Sequence, residues 1–277
     1  MSARILDGQA VVVTGAGAGL GRAYAVALAR AGAAVVVNDV NELDAREATE
    51  AIVAAGGRSV TCIGSVADWS TAQALTSTCV EVFGAIDGLV NNAAIQHVAS
   101  PLEETEVRLR RIVEVNVLGS MFAAIHAFRA MSTQGRGRIL NVTSGAHIGL
   151  PGMTAYGATK GAIASLTYNL SLEGAAVGVQ VNALAPVAQT AMSPAEDRKD
   201  GLTRPRPEQI APVVVSLMSG AGNLNGQIVR YDGRSLSLLA QPHFRAQGVT
   251  EDIGTVEGIS RAFRTVLGPM ASRVGLY

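Results

Sequence analysis

Aromatic residues are scarce in this chain: one Trp, five Phe and five Tyr among 277 residues. A core with so few rings has to be built from Val, Ala and Leu, as parallel strands buried on both faces are. Cysteine is also rare. Cys62 and Cys79 are too few for a disulfide framework and read as small buried hydrophobes, one in an apolar strand and one in a helix-like segment. Net charge is absent, with 22 Lys and Arg against 22 Asp and Glu. Electrostatics therefore give no signature of nucleic acid or an anionic membrane as partner. No apolar run approaches the ~20 residues of a membrane span. The first apolar run ends in glycines after five residues, without a secretory signal pattern. A soluble, cytoplasmic chain is expected, with no metal site, and its length suits a single domain over 1–277.

What the chain has in quantity is alternation. Strand-like apolar runs recur at Ala10–Thr14, Ala34–Asn38, Arg58–Ile63, Gly88–Asn91, Arg138–Val142, Gln180–Ala185 and Gly226–Tyr231. Helix-compatible segments separate them. This predicts an α/β fold: a doubly wound parallel sheet of about seven strands with helices on both faces. Ligands then gather at the carboxyl ends of the strands. The first strand runs straight into Gly15-Ala16-Gly17-Ala18-Gly19-Leu20-Gly21 and then a run of helix formers. Strand, glycine loop and helix are the context of a dinucleotide site, where backbone and helix N-terminus approach a pyrophosphate. The second strand ends at Asp39, eighteen residues past Gly21. An acid near that spacing binds the ribose hydroxyls of NAD and repels the 2′-phosphate of NADP. No Arg stands at 16–18 or directly after Asp39 to offset that repulsion.

Tyr156 and Lys160 stand four residues apart in a helix-compatible segment, which puts phenol and ammonium on one face. A phenol titrates near ~10, and a neighbouring cation lowers that value. Ser144, twelve residues earlier, adds a hydroxyl donor. Together they can hold and protonate a carbonyl oxygen, the chemistry of interconverting an alcohol and a ketone. Tyr156 is the expected general acid/base, and Ser144 the group that stabilises charge on the substrate oxygen. Asn116 interrupts an apolar helical run, and a kink is expected there. Asn91, at a strand end, is expected to orient backbone near the cofactor.

These motifs, in this order, resemble the short-chain dehydrogenase/reductase family in its single-domain form. They are Thr14-Gly15-x-x-x-Gly19-x-Gly21, Asn91-Asn92-Ala93-Ala94, Asn116, Ser144, Tyr156-x-x-x-Lys160 and Pro186-x-x-x-Thr190, and they cover roughly Leu6 to Asp232. Val35–Val40 and Ala185–Ala188 look, more weakly, like the hydroxysteroid and 3-hydroxyacyl-CoA dehydrogenase branch. The resemblance implies a catalytic set of Asn116, Ser144, Tyr156 and Lys160. Asn116 would hold a water in a proton relay, and Lys160 would also bond the nicotinamide ribose. Cofactor contacts are implied at Gly15, Gly19, Leu20, Gly21, Asp39, Ser65, Val66, Asn92, Tyr156, Lys160, Pro186 and Thr190. Three positions depart from the family: Ala94 where Gly is usual, Ser65 where Asp often meets the adenine, and Val187 where Gly follows Pro.

The chemistry read here is an NAD-dependent dehydrogenase acting on an apolar secondary alcohol such as a hydroxysteroid or hydroxyacyl thioester. An NADPH-dependent biosynthetic ketoreductase is the alternative, with Asp39 against it. A nucleotide-sensing regulator without turnover is the second alternative; it would be expected to lose part of the Asn-Ser-Tyr-Lys set. Ser193–Glu208 is charged and proline-containing, and 193–210 is the candidate substrate lid. Residues 235–277 form a C-terminal extension in which Ser260–Leu267 reads as a short amphipathic helix. His97 and His147 read as surface or satisfied residues. Leu150, Met153 and Met192 read as pocket-lining residues or ordinary core. Small and apolar residues on several faces of Val107–Met131 and Tyr156–Ala176 suggest partner contacts, which the family uses for dimers, and a homotetramer is expected.

Overall fold

The computed structural model describes residues 4–190, 192, 204–242, 248–249 and 255–267. The chain divides into two compact units, Met1–Leu239 and Ala240–Tyr277. The first unit is an eight-stranded sheet: β1 (Ala10–Val13), β2 (Ala34–Asp39), β3 (Arg58–Ile63), β4 (Gly88–Asn91), β5 (Gly137–Val142), β6 (Val179–Pro186), β7 (Ile228–Tyr231) and β8 (Leu236–Leu238). The order is β3-β2-β1-β4-β5-β6-β7-β8. Seven strands run parallel, and β8 pairs antiparallel with β7. The sheet thus has one strand more than the expected seven. β8 is only three residues long and exposed throughout, so it lacks an apolar pattern. The Asp232 carboxylate makes its turn by accepting from the backbone of Arg234 and Ser235. The extension expected from 235 therefore begins as an edge strand of the sheet.

Strand residues alternate between two cores, as the two-residue period of a strand requires. Val11, Val13, Val35, Val37, Leu140 and Leu184 pack under α1 (Gly19–Arg30), α2 (Glu42–Ala54) and, beyond β6, α7 (Pro207–Ser219). Val12, Val36, Leu89, Ile139 and Val181 face α3 (Trp69–Phe83) and the long helix across from it. That helix is α4 (Glu106–Val113), a π-helical turn (Glu114–Gly119) and α5 (Ser120–Gln134) in one run. It is 29 residues long and apolar enough to span a membrane by composition, contrary to the sequence expectation. It lies instead against the sheet, burying Val115, Ala123, Ala124, Ala127 and Met131. Cys79 is buried as expected, whereas Cys62, on the edge strand β3, is only partly so.

The sheet order reverses between β1 and β4, so their carboxyl ends open a crevice. α6 (Thr154–Ala175) follows β5 and carries the Tyr-Lys pair to the same edge. Of the expected lid, 193–203 lie outside the described residues. The lid does not extend to 210: Pro207 starts α7, the Gln209 side chain accepts from the Arg206 backbone, and Ile210 is core. In the second unit, α8 (Val256–Ala262) starts from a Thr255 cap and continues as a π-helical turn, Phe263–Leu267. The helix expected at Ser260–Leu267 therefore begins four residues earlier.

Candidate active site

The glycine loop is braced across the crevice by short polar side chains. Thr14 Oγ1 accepts from the backbone N–H groups of Asn92 and Ala93, both at 3.0 Å. Asn92 Nδ2 donates back to the carbonyls of Thr14 and Gly15. Gly15 and Gly19 adopt positive φ, +60° and +54°, which residues with a Cβ rarely do. A β-carbon on Gly21 would sit 2.0 Å from the Gly15 carbonyl oxygen, so α1 can start this close to the loop only with glycine there. Helix α1 has no side-chain cap and no acid in its first turn. Its orphan N–H groups and positive dipole end suit a pyrophosphate. At the end of β2, Asp39 Oδ2 accepts from Gly17 N and Oδ1 from Asn41 N. These residues fit a dinucleotide.

Other predicted cofactor positions line the same edge. Leu20 is half-buried on α1, and Val66 is buried against Gly119 of the π-helical turn. The Ser65 hydroxyl accepts from Ala67 N in the turn after β3. Pro186 ends β6, Thr190 follows it, and both are half-buried. Asn91 does not face the loop as expected. Its Nδ2 donates to Ser120 O and Asn141 Oδ1 in the interior. Neighbouring residues of an extended chain point to opposite sides, and here Asn92 takes the loop side.

At the catalytic end, Ser144 leaves β5 and opens a 3-10 turn, its hydroxyl accepting from Ala146 N. Tyr156 and Lys160 lie one turn apart on α6. Lys160 is 3 % exposed, and its Nζ donates to Val142 O at 2.8 Å. Burial brings its pKa down from 10.5 to about 8. Nζ stands 5.6 Å from the centre of the Tyr156 ring. Burial pushes the Tyr156 phenol above its ordinary value, and a hydrogen bond with Ser144 opposes that rise. The expected lowering of the phenol by Lys160 is therefore not what this structure has. The ammonium turns to the β5 carbonyl, and loss of water disfavours the phenolate.

Asn116 sits in the π-helical turn, where the expected kink is found. Such turns mark irregular, often functional places in helices. Its carboxamide is fully buried. Oδ1 accepts from Ile95 N, and Nδ2 donates to Ile95 O and to Thr159 Oγ1. Thr159 in turn donates to Tyr156 O at 2.7 Å. Thr143 Oγ1 donates to Lys160 O. Sequence reasoning missed both threonines. The available signal was a hydroxyl residue inside the Tyr-x-x-x-Lys turn itself.

Both histidines are satisfied, as expected: His97 pairs with Glu104 at 2.7 Å, and His147 Nδ1 meets Ser144 O. Leu150 and Met192 are exposed, and Met153 is half-buried. Gln96 Nε2 reaches Met192 O at 3.3 Å. Among the described residues no cluster of His, Cys, Asp or Glu could hold a metal.

The sequence profile of short chain dehydrogenases matches residues 9–200. The chain belongs to the short chain dehydrogenase family. A cis-4-hydroxycyclohexanecarboxylate dehydrogenase of Sinomonas cyclohexanicum is 37% identical over 239 residues, 81% of this chain and 95% of that protein. The crystal structure of a short chain dehydrogenase from Mycobacterium avium matches with a TM-score of 0.84 at 34% identity, covering 99% of each chain. A gluconate 5-dehydrogenase from Burkholderia cenocepacia J2315, solved with NADP and tartrate, matches at 0.76 and 30% identity, over 83% of this chain and 96% of that one. This short chain dehydrogenase is an oxidoreductase of alcohol- or ketone-type substrates with a nicotinamide cofactor.

Proposed function

We propose that this short chain dehydrogenase uses NAD to oxidise an apolar secondary alcohol to its ketone. The observation that carries the cofactor choice is Asp39, whose carboxylate closes the end of β2 against the Gly17 amide. An acid there accepts from ribose hydroxyls and repels a 2′-phosphate. Bound NAD supplies the hydride acceptor. The chain's own residues handle the proton. Ser144 donates to the substrate oxygen. Tyr156 first passes its phenol proton to solvent; as the phenolate it takes the alcohol proton on oxidation, and as the phenol it gives one on reduction. Lys160, one turn on, sets its ammonium 5.6 Å from the centre of the Tyr156 ring. Asn116, bonded to Ile95 and Thr159, holds the relay side of the site. Exposed Leu150 and Met192 support an apolar substrate. Oxidation is the favoured direction because NAD is held oxidised in most cells.

A second reading is ketone reduction with NADPH, favoured by the NADP in the gluconate 5-dehydrogenase structure. Absorbance of reduced cofactor, with NAD and NADP each offered to a panel of secondary alcohols, decides between them. Equal use of both cofactors would remove the NAD assignment. No turnover with any alcohol or ketone would favour a nucleotide-sensing regulator.

We further propose that 1–277 works as one cytoplasmic catalytic domain and assembles as a homotetramer. Every candidate site residue lies within Met1–Leu239. Val107, Val113, Leu118 and Met121 on the long helix and Leu172 on α6 are exposed apolar residues, up to 77 % exposed at Val107 and Leu172. Covering them against a second copy accounts for their composition. Light scattering at micromolar concentration checks this, and an active monomer would overturn it.

A further inference from the structure

We propose that Asp44 is a second acidic determinant of cofactor choice, acting beside Asp39 against a 2′-phosphate. The proposal rests on the ribose reading of Asp39 and extends it to a residue that no motif marks. Both acids flank one position of the glycine loop. A β-carbon on Gly17 would lie 2.9 Å from Asp39 Oδ2 and 2.8 Å from Asp44 Cβ. Asn41 ties the two carboxylates together. Its backbone N–H donates to Asp39 Oδ1 at 3.0 Å, and its Nδ2 donates to Asp44 Oδ2 at 2.7 Å. Its Oδ1 caps α2 by accepting from Leu43 N and Asp44 N.

The start of α2 makes this placement matter. A helix N-terminus carries about half a positive charge and free N–H groups, so on its own it attracts phosphate. This one is filled by the Asn41 cap and carries Glu42 and Asp44 in its first turn. The nearby guanidinium groups are already engaged. Arg46 pairs with Glu42 at 2.7 Å, and Arg22 of α1 pairs with Glu47 at 3.7 Å. A 2′-phosphate would thus meet two carboxylates and cations that acids already hold. Asp44 is only half-exposed, so solvent screens it less than a fully exposed charge. Removing Asp39 alone therefore leaves a second repulsion in place. Asp39→Ala with Val40→Arg should fall short of full NADP use for that reason.

The test is the ratio of kcat/KM with NADP to that with NAD in the full chain, for Asp44→Asn, Asp39→Ala and the double variant. Asn keeps the shape of the side chain and removes its charge. Asp44→Asn should raise the ratio about 10-fold, the scale of one partly screened charge acting on a phosphate. The double variant should exceed Asp39→Ala by a similar factor. Both gains should shrink as salt rises, which a merely structural role of Asp44 would not produce. A ratio unchanged by Asp44→Asn, or a salt-independent gain, overturns the proposal. A wild type that already uses NADP as well as NAD overturns the ribose reading of Asp39 instead; the Asp44→Asn ratio then still decides Asp44, a rise supporting it and no rise sinking it.

Discussion

The two ends of the cleft are stabilised in opposite ways. At the glycine loop, Asn92 and Asp39 satisfy backbone groups of the loop, and Thr14 satisfies the Asn92 and Ala93 amides facing it, with bonds near 3.0 Å. In the proposed reading, what would bind the cofactor there also holds the fold. At the proposed catalytic end, the Lys160 amine is buried with its Nζ on the Val142 carbonyl, and the Tyr156 phenol is half out of water. Burial moves both groups toward their neutral forms. In the proposed reading these residues serve the proton step, and burying a charged amine costs stability. On that reading one end gains affinity and stability together, and the other trades stability for reactivity.

Tyr156→Phe should show the largest effect and confine it to turnover. Loss of a general acid/base typically costs ~10²–10⁴-fold in rate. Cofactor affinity, followed by fluorescence titration, should stay near wild type. More than a tenth of the wild-type kcat in this variant would remove Tyr156 from the proton step. Gly21→Ala is the matching test at the other end, and it should not separate function from fold. Its methyl group would lie 2.0 Å from Gly15 O and 2.6 Å from Asn92 Nδ2. Overpacking of this kind costs about 3 kcal/mol. Thermal melts and cofactor titration should worsen together, and a stable variant that has only lost the cofactor would break the contrast.

Lys160→Met sharpens the comparison through pH. The unfolded chain holds this proton up to its ordinary pKa of 10.5, and the folded chain releases it near 8. Between those values the unfolded state binds more protons, so wild-type stability rises with pH across that window. Below about 8 both states carry the charge, and the burial penalty is present in full. Met carries none of it. The variant should be inactive yet more stable at pH 7 by about 1–3 kcal/mol, the scale of the pKa shift less the lost bond to Val142 O. Denaturant melts at pH 7 and pH 10 should show that advantage shrinking at the higher pH. A variant less stable at pH 7 would mean the carbonyl bond outweighs burial.

The uneven legibility of the sequence follows the same division. The seven parallel strands, the glycine loop and Asp39 depend on local pattern and short-range spacing, and all could be read from residues in order. β8 could not, because Leu236–Leu238 buries no face and so has no hydrophobic period. The choice between Asn91 and Asn92 depends on which side of the chain faces the loop, and two adjacent Asn residues look alike in sequence. The direction of Lys160 Nζ depends on the Val142 carbonyl 18 residues away in chain. Spacing puts Tyr156 and Lys160 on one helix face, but packing against β5 decides where the amine points.

Thr159 shows how tertiary context makes a positioning residue out of an ordinary helix threonine, and it should give the smallest effect. It is buried, donates to Tyr156 O and accepts from Asn116 Nδ2. It therefore joins the turn that carries the phenol to the π-helical turn across from it. Thr159→Val keeps shape and removes both bonds. Asn116 keeps its two bonds to Ile95, so the carboxamide stays placed but less tightly held. A lost buried bond costs roughly 1 kcal/mol, and a displaced proton-transfer group should lower kcat about 10-fold. Thr159 touches neither the glycine loop nor Asp39 in its hydrogen bonding, so KM for NAD should move little. Thr159→Ser restores the hydroxyl and should restore most of kcat. A Ser variant as slow as the Val variant would mean that the methyl group, through packing, is what α6 needs from this position.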